Sequence, residues 1–470
     1  MGTYTKEQLE TELTRIKNAV ASCRTAIYDK GVTSIPDNVT LAELPTYVNM
    51  IECSHPDILL RWIGTGDGDI TTTSDVYFDT GLLPSYDITF DTMCLKPTTN
   101  NSVLFGAYNN DAITFSFIPN YSAYAFRLIN LLKGDDYLAT GALSNIDTNF
   151  YHFSSTGTHE YVTNDTAYAG NNNYIIPHAG GTVSLTSGNT LYIWARNDGT
   201  SVNFKATYGN KLKYLCFFKG GDLVRFYVPV LHWTNGEYVP CLYDKVNDTY
   251  SYNIGTGTPN YESTGAYLLD YYYYASEKPT SAGFLTASLI LQNMRLYTKF
   301  VSYGTSNINE QTVFACRQDG TNKYGIYSTV TGGASVIQKI GVKYKSSSVL
   351  MNLYGPDLTE GTEYKVSFFS NEGKGSKMFV NDTEYTANTY QTSDATTIGK
   401  PLYILGNQIV VKNTRCYYAI ANDIDRNVTR FWVPVYDKND SNPIKYVDVR
   451  LETDARYTGN TANLGYQLLD

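Results

Sequence analysis

Arg225-Phe226-Tyr227-Val228-Pro229-Val230 returns as Arg430-Phe431-Trp432-Val433-Pro434-Val435, and this pair decides how the whole chain is read. Working outward, Leu191-Tyr192-Ile193 precedes the first member and Leu402-Tyr403-Ile404 the second. Farther upstream, Asn164-Asp165-Thr166-Ala167-Tyr168 matches Asn381-Asp382-Thr383-Glu384-Tyr385, and Leu104-Phe105 matches Val313-Phe314. Downstream, Gly265-Ala266-Tyr267-Leu268-Leu269-Asp270 matches Gly465-Tyr466-Gln467-Leu468-Leu469-Asp470. Pieces recurring in one order mark a duplication. The organisation expected is an arm over 1–55, a first domain over 58–270 and a second, diverged domain over 271–470. A chain ending at Asp270 is then expected to fold by itself. Two copies of a module suit display or binding better than a single reaction.

Composition agrees with an all-β body. The chain has 470 residues, 43 of them Tyr, with only 17% charged. Domains run to roughly 100–200 residues, so each copy is long enough to bury a core of its own. Aromatic and β-branched residues favour strands, while Gly and Asn favour tight turns. Tyr364-Lys365-Val366-Ser367-Phe368-Phe369 alternates as a half-buried strand should, Asn371-Glu372-Gly373-Lys374-Gly375 is a turn cluster, and Lys377-Met378-Phe379-Val380 runs into a turn at Asn381-Asp382.

The formal net charge of −9 and the lack of a basic stripe argue against nucleic acid as a partner. No signal-peptide pattern and no apolar run of bilayer length is present, so neither classical secretion nor membrane insertion is expected. A myristoylation reading of Met1-Gly2 fails because Lys6 occupies the place where Ser or Thr is wanted. Seven scattered cysteines with no C-x-x-C pair signal neither zinc nor a disulfide framework; buried thiols in a chain folded under reducing conditions are the expectation.

The arm is the helical part. Leu9, Leu13, Ile16, Val20, Cys23 and Ile27 alternate by four and three, the seam of a coiled coil. Thr5 with Glu7 and Gln8 supplies a start and Gly31 a stop. So short a helix is marginal alone and should be paired. The mixed seam allows a homodimer or a homotrimer; a helix packed on the chain's own β domain is the other reading. Ser34-Ile35-Pro36 follows, and Thr40-x-x-Glu43 predicts a second short helix before Pro56.

The helix, turn and Thr40-Leu41-Ala42-Glu43-Leu44-Pro45 segment resembles the N-terminal segments of bacteriophage tail and fibre proteins, which dock appendages on a virion and are commonly trimeric. The strands closing with Val380-Asn381-Asp382 resemble hairpins of the concanavalin A-like, or laminin G-like, jelly roll. In the first copy, Asp79-Thr80-Gly81, Trp194-Ala195-Arg196-Asn197, Val224-Arg225-Phe226, Leu242-Tyr243-Asp244 and Asn253-Ile254-Gly255-Thr256-Gly257 look like the motif string of phage structural proteins with that fold. Phe226-Tyr227 stands where that family reads Asp-Phe, and the second copy keeps only fragments, Tyr446-Val447-Asp448 and Gly459. The resemblance implies a mainly β chain: a helical coiled-coil arm, then two tandem antiparallel jelly-roll β-sandwiches. It also favours a trimer over a dimer.

Most motif residues look like scaffold. A Pro within Arg225–Val230 suits an edge strand or bulge, Gly255-Thr256-Gly257 a turn of positive φ, and Arg225 and Arg430 a carboxylate partner at the sheet rim or an exposed binding role. No catalytic constellation is found. A retaining glycosidase needs two carboxylates about 5–5.5 Å apart, and the Glu-x-Asp-x-Glu pattern of jelly-roll glycosidases is absent. Asp67-Gly68-Asp69 and Asp448 with Glu452 and Asp454 occur in one copy each. His55, His152, His159, His178 and His232 show no metal-ligand spacing. The oxygen-rich loops at Asp67–Asp69, Asn171–Asn173 and Asn422-Asp423 leave calcium open, without requiring it. No cofactor is expected.

The run Tyr271-Tyr272-Tyr273-Tyr274 reads as an inter-domain or inter-subunit contact ahead of a sugar platform. The function expected is a non-enzymatic head or tail appendage of a tailed phage, folded in the host cytoplasm and placed on the virion surface. Its partners would be its own copies, other virion proteins through the arm, and host-surface glycan. The alternatives are an architectural adaptor without host binding and, behind it, a capsule-degrading enzyme. The diverged second domain, far along the chain from the arm, is expected to carry the specificity.

Overall fold

A computed structural model describes residues 5–28, 55–85, 87–96, 102–108, 114–122, 125–130, 135–139, 149–155, 160–163, 166–169, 173–175, 189–274, 284–289, 294–302, 310–317, 323–331, 337–346, 349–369, 377–386, 400–405, 414–423, 428–457 and 464–469. It divides into an N-terminal unit, Met1–His55 with Asp470, and a β unit, Pro56–Leu469. The expected helix from Thr40, the stop at Gly31, Asn164-Asp165 of the repeat, the turn cluster at 371–375, His159, His178 and Gly459 lie outside the described residues.

The arm helix spans Lys6–Tyr28. Its start is a reciprocal cap: Gln8 N donates to Thr5 Oγ1 at 3.3 Å, and Thr5 N donates to Gln8 Oε1 at 2.9 Å. Along the predicted seam Leu13 is 54% exposed and Ile16 43% exposed, and Cys23 is exposed as well. The side chains of Leu9 and Ile27 lie outside the described set.

The β unit is antiparallel, with each copy built as two layers. In the first copy one sheet pairs, in order, Thr166–Ala169, Glu160–Thr163, Tyr151–Ser155, Ile88–Leu95, Lys211–Lys219, Asp222–Thr234, Glu237–Asp244 and Thr249–Ser251. The second copy repeats that order with Thr383–Thr386, Lys377–Val380, Glu363–Phe369, Met294–Val301, Arg415–Asp423, Val428–Tyr436, Ile444–Asp448 and Thr453–Tyr457. The opposing layers match too, Ile193 facing Phe105 in one and Ile404 facing Phe314 in the other. Even a backbone irregularity is duplicated. Trp194 and Leu405 both have positive φ, and their N–H groups donate to the equivalent carbonyls of Leu104 and Val313.

Alternation places the cores. Leu215 and Phe217 point into the first sandwich beside Phe105, Phe117 and Ile193. Ala419 and Ala421 point into the second beside Phe314, Ile326 and Ile404. The intervening residues Tyr214, Cys216 and Phe218, and Tyr418 and Ile420, point the other way and meet in a third core with Phe226, Val228, Phe431 and Val433. Here the two front sheets stack on one another: Tyr214 and Phe431 have ring centroids 4.3 Å apart, Phe218 and Tyr297 5.2 Å, Phe226 and Tyr418 5.9 Å. Burying apolar area at about 25 cal/mol per Å² makes this face a large contributor to stability. Asp91 sits beside it fully enclosed, accepting from Tyr214 Oη at 2.8 Å and from Thr429 Oγ1 of the other copy at 3.0 Å, with His152 Nε2 at 2.9 Å.

The expected boundary at Asp270 falls inside one strand, Asn260–Tyr274, which pairs with Ile58–Gly64 of the first copy and with Arg415–Asp423 and Val428–Tyr436 of the second. The tyrosine run lies here as a contact between copies: Tyr271 faces the third core, 5.0 Å from Tyr417, and Tyr272 is wholly buried in the second sandwich.

Two local expectations change. Pro229 and Pro434 are not on outer edges. Tyr227 pairs with Leu215 of one neighbour and Val230 with Leu59 of another, so Pro229 stands where the neighbouring strand changes and no ladder donor is required of it. Pro434 stands at the same fork, between Trp432 paired with Ala419 and Val435 paired with Leu268. Gly255 and Gly257 lack positive φ. They are needed for close approach, since a Cβ on Gly255 would lie 1.9 Å from the Asp75 carbonyl oxygen.

Candidate functional site

The repeated Arg is part of a turn lock. Asp244 Oδ1 accepts from the backbone N–H of Phe226 and of Val246, both at 3.0 Å, and Arg225 Nε lies 3.4 Å from Asp244 Oδ2. The second copy reproduces it: Asp448 Oδ1 accepts from Phe431 N at 3.3 Å and Arg450 N at 3.0 Å, with Arg430 Nε 3.5 Å from Asp448 Oδ2. Both arginines have the expected carboxylate partner. Burial raises both carboxyls, that of Asp448 to about 6, against the pull of arginine and backbone donors. The lock holds the strand that follows, Thr249–Ser251 or Thr453–Tyr457, at a fixed register.

On the first copy that strand borders an open cleft of about 490 Å³ lined by Asp79, Thr80, Gly81, Arg225, Thr249, Tyr250, Ser251, Tyr252 and Ile254. Tyr250 and Tyr252 alternate onto one face and stack at 6.2 Å. His232 packs against Tyr250 with ring centroids 4.0 Å apart and planes tilted by 32°. Beneath them is Asp57, fully buried, with His232 Nδ1 2.8 Å from its Oδ1 and the Tyr250 hydroxyl donating to its Oδ2 at 2.9 Å. Burial pushes the Asp57 carboxyl up to about 6, while those two partners hold it from rising farther. Asp57 also ties down the backbone, donating to Leu469 O and accepting from Leu268 N. Beyond the cleft Tyr77 stacks on Tyr192 at 5.8 Å. Tyr77 N donates to Asn253 Oδ1 at 3.0 Å, which fixes that edge beside the Tyr252 strand.

Register gives the second-copy equivalents. Leu242 pairs with Ser251 where Tyr446 pairs with Ala455, so Tyr250 and Tyr252 correspond to Asp454 and Arg456. There Lys445 Nζ lies 2.9 Å from Asp440 Oδ2 and 3.3 Å from both Asp437 and Asp454, and Arg456 Nη2 lies 2.8 Å from Asp440 and 2.7 Å from Asp454. These donors hold Asp440 well below the usual carboxylate range. One copy thus presents rings and hydroxyls at this edge, the other a network of three carboxylates and two cations.

The acidic runs singled out in the sequence are taken up in hydrogen bonds and ion pairs, that of Glu452 reaching the first copy. Asp67 accepts from Asn260 Nδ2 at 2.6 Å, Asp69 from Thr71 N at 2.9 Å, and Glu452 pairs with Lys213 at 2.6 Å. Among the described residues no group of three or more His, Cys, Asp or Glu stands close enough to hold a metal ion. Cys94, Cys216, Cys241 and Cys416 are buried free thiols, as expected. The sequence singled out neither Asp57 nor Tyr250 and Tyr252, and His232 entered only as a metal-ligand candidate without the spacing for it. The alternation Tyr250-Ser251-Tyr252 was a usable signal, whereas the Asp57 to His232 pairing had none, because it is the pairing of Ile58 with Leu231, from strands far apart in the chain, that brings them together.

No family model and no curated protein matches the chain. Among solved structures, the mouse laminin alpha1 chain domains LG4-5 are matched at 8% identity over 80% of this chain and 93% of that one, with a TM-score of 0.27. A mutant of the NanB sialidase from Streptococcus pneumoniae is matched at 11% identity over 88% of this chain and 83% of that one, with a TM-score of 0.24. At those scores neither likeness bears on function, and the two-layer antiparallel assignment stands on the strand pairings.

Proposed function

We propose that this chain is a non-enzymatic structural appendage of a tailed-phage virion, oligomerised and anchored by its N-terminal arm and touching host-surface glycan through its β body. The observation that carries the glycan contact is the first-copy cleft, where stacked Tyr250 and Tyr252 border Thr249, Ser251 and Asp79. Sugars combine apolar C–H faces with hydroxyl edges, and a concave site of rings and a few polar groups suits both. Support for the virion setting comes from the arm and motif resemblance. Support for a structural role comes from Asp244 and Asp448, which are occupied in turn locks, and from Asp440, which is occupied in an ion pair.

Glycan-array binding by the full chain, with release of reducing ends followed in parallel, tests the reading. Binding without release is expected. Release would establish an enzyme, and neither would leave the architectural adaptor. Immunogold labelling of intact particles checks the virion location.

A further inference from the structure

We infer that the first copy binds a neutral, linear glycan laid along a run of rings from Tyr192 and Tyr77, across the cleft, to Tyr252, Tyr250 and His232. The inference rests on the glycan-contact reading and adds the ligand's charge, its shape and the copy that holds it.

Shape follows from the layout. Tyr192 and Tyr77 stack at 5.8 Å with planes 19° apart, and Tyr252 and Tyr250 at 6.2 Å and 27°. All four rings are partly exposed. Tyr252 and Tyr250 line the cleft, and Tyr192 and Tyr77 adjoin its Asp79 wall, Tyr192 paired with Asp79 and Phe78 bridged to Asn253. One sugar cannot cover both pairs, whereas a chain of pyranoses can place successive C–H faces on them and turn hydroxyls into the cleft. Thr249, Ser251 and the Asp79 carboxylate, which already takes the Gly81 N–H at 2.8 Å, accept or donate there.

Charge follows from the fixed groups. Asp79 lines the cleft; among the described residues Arg225 is the one cation lining it and is directed to Asp244 at 3.4 Å and to the Val224 carbonyl at 2.8 Å, while Lys205, 5.4 Å from the Tyr77 ring centroid, is paired with Asp75. A uronate or sialate would meet the Asp79 carboxylate in a chain of net charge −9. Neutral hydroxyls instead gain charge-assisted hydrogen bonds to it. Among the described residues the second copy carries Asp454 and Arg456, paired with each other, at the two ring positions.

The test uses the full chain, titrated by calorimetry and saturation-transfer NMR against linear neutral glucan, mannan, galactan and xylan oligosaccharides, and against hyaluronan and polygalacturonate oligomers. At least one neutral series should bind, with affinity rising from two to six sugars. Tyr252→Ala and Tyr192→Ala should each weaken it about tenfold, Arg456→Ala should not, and none should move the melting temperature by more than a few degrees. Tyr252→Leu keeps an apolar side chain in the strand and should weaken binding likewise if the ring is what matters. Binding confined to the anionic series, or binding unmoved by the tyrosine changes and lost with Arg456→Ala, overturns this inference and leaves the glycan reading standing. No binding to any glycan overturns both.

Discussion

Replacing Phe431 by Ala asks whether the two copies are energetically one body. Its ring is fully buried, with centroids 4.3 Å from Tyr214 and 5.7 Å from Phe226, both in the other copy. Removing a buried Phe costs about 3–5 kcal/mol, from lost transfer free energy plus a cavity that relaxes only in part. Of that, about 0.5–1.5 kcal/mol belongs to the ring pair itself. It is read from a double-mutant cycle with Phe226→Ala, which disturbs no polar partner of Asp91. Urea denaturation gives the totals, and amide exchange locates them. Protection of the Lys211–Lys219 strand, which belongs to the copy not mutated, should fall by about a hundred-fold to several thousand-fold if the third core is common to both. Unchanged exchange on that strand together with zero coupling would refute the reasoning, and the copies would then be independent domains that merely touch.

Other outcomes follow from the same geometry. A chain ending at Asp270 would put Tyr214, Phe218, Phe226 and Val228 in water, so calorimetry should show lost cooperativity or light scattering should show self-association; a sharp monomeric melt would instead support the autonomous domain expected from the sequence. If the arm's seam joins subunits, Ile16→Asp with Val20→Asp should yield monomers with an intact β unit by light scattering, and mild oxidation of the unsubstituted protein should cross-link Cys23, the exposed thiol among the described residues. Asp244→Ala leaves the N–H groups of Phe226 and Val246 without their acceptor and should cost about 1–3 kcal/mol or more, measured by denaturant midpoint. Burial holds Asp57 and Asp448 up to about 6 against an ordinary 3.8, so between those values the folded chain keeps protons that the unfolded chain has released. Their contribution to stability therefore grows as pH falls through that window, whereas Asp75, held down to about 2 by Lys205 and Thr256, gives up its own as pH falls below about 4. Asp57→Asn should flatten the first trend in melting temperature, and a profile parallel to the unsubstituted protein's would count against it.

The sequence by itself determined what is local or repeated. Matching segments in one order declared the duplication, alternation declared the strands, four-and-three spacing declared the arm helix, and the paired arginines pointed to their carboxylates. The run Tyr214-Leu215-Cys216-Phe217-Phe218 even carried a sign that both faces of its strand are buried. What covers the second face was not legible, because an apolar side chain specifies removal from water and not the partner that removes it. Stacking the front sheets decided that, and with it placed Thr429 on Asp91, ran one strand through the expected boundary, and set the prolines at forks in the sheet. The cleft is of the same kind. Asp57 lies far from His232 along the chain, and Tyr77 far from Tyr252, so their meeting depends on which distant strands pair and in what register, Ile58 with Leu231 and Phe78 with Asn253, which no local pattern encodes.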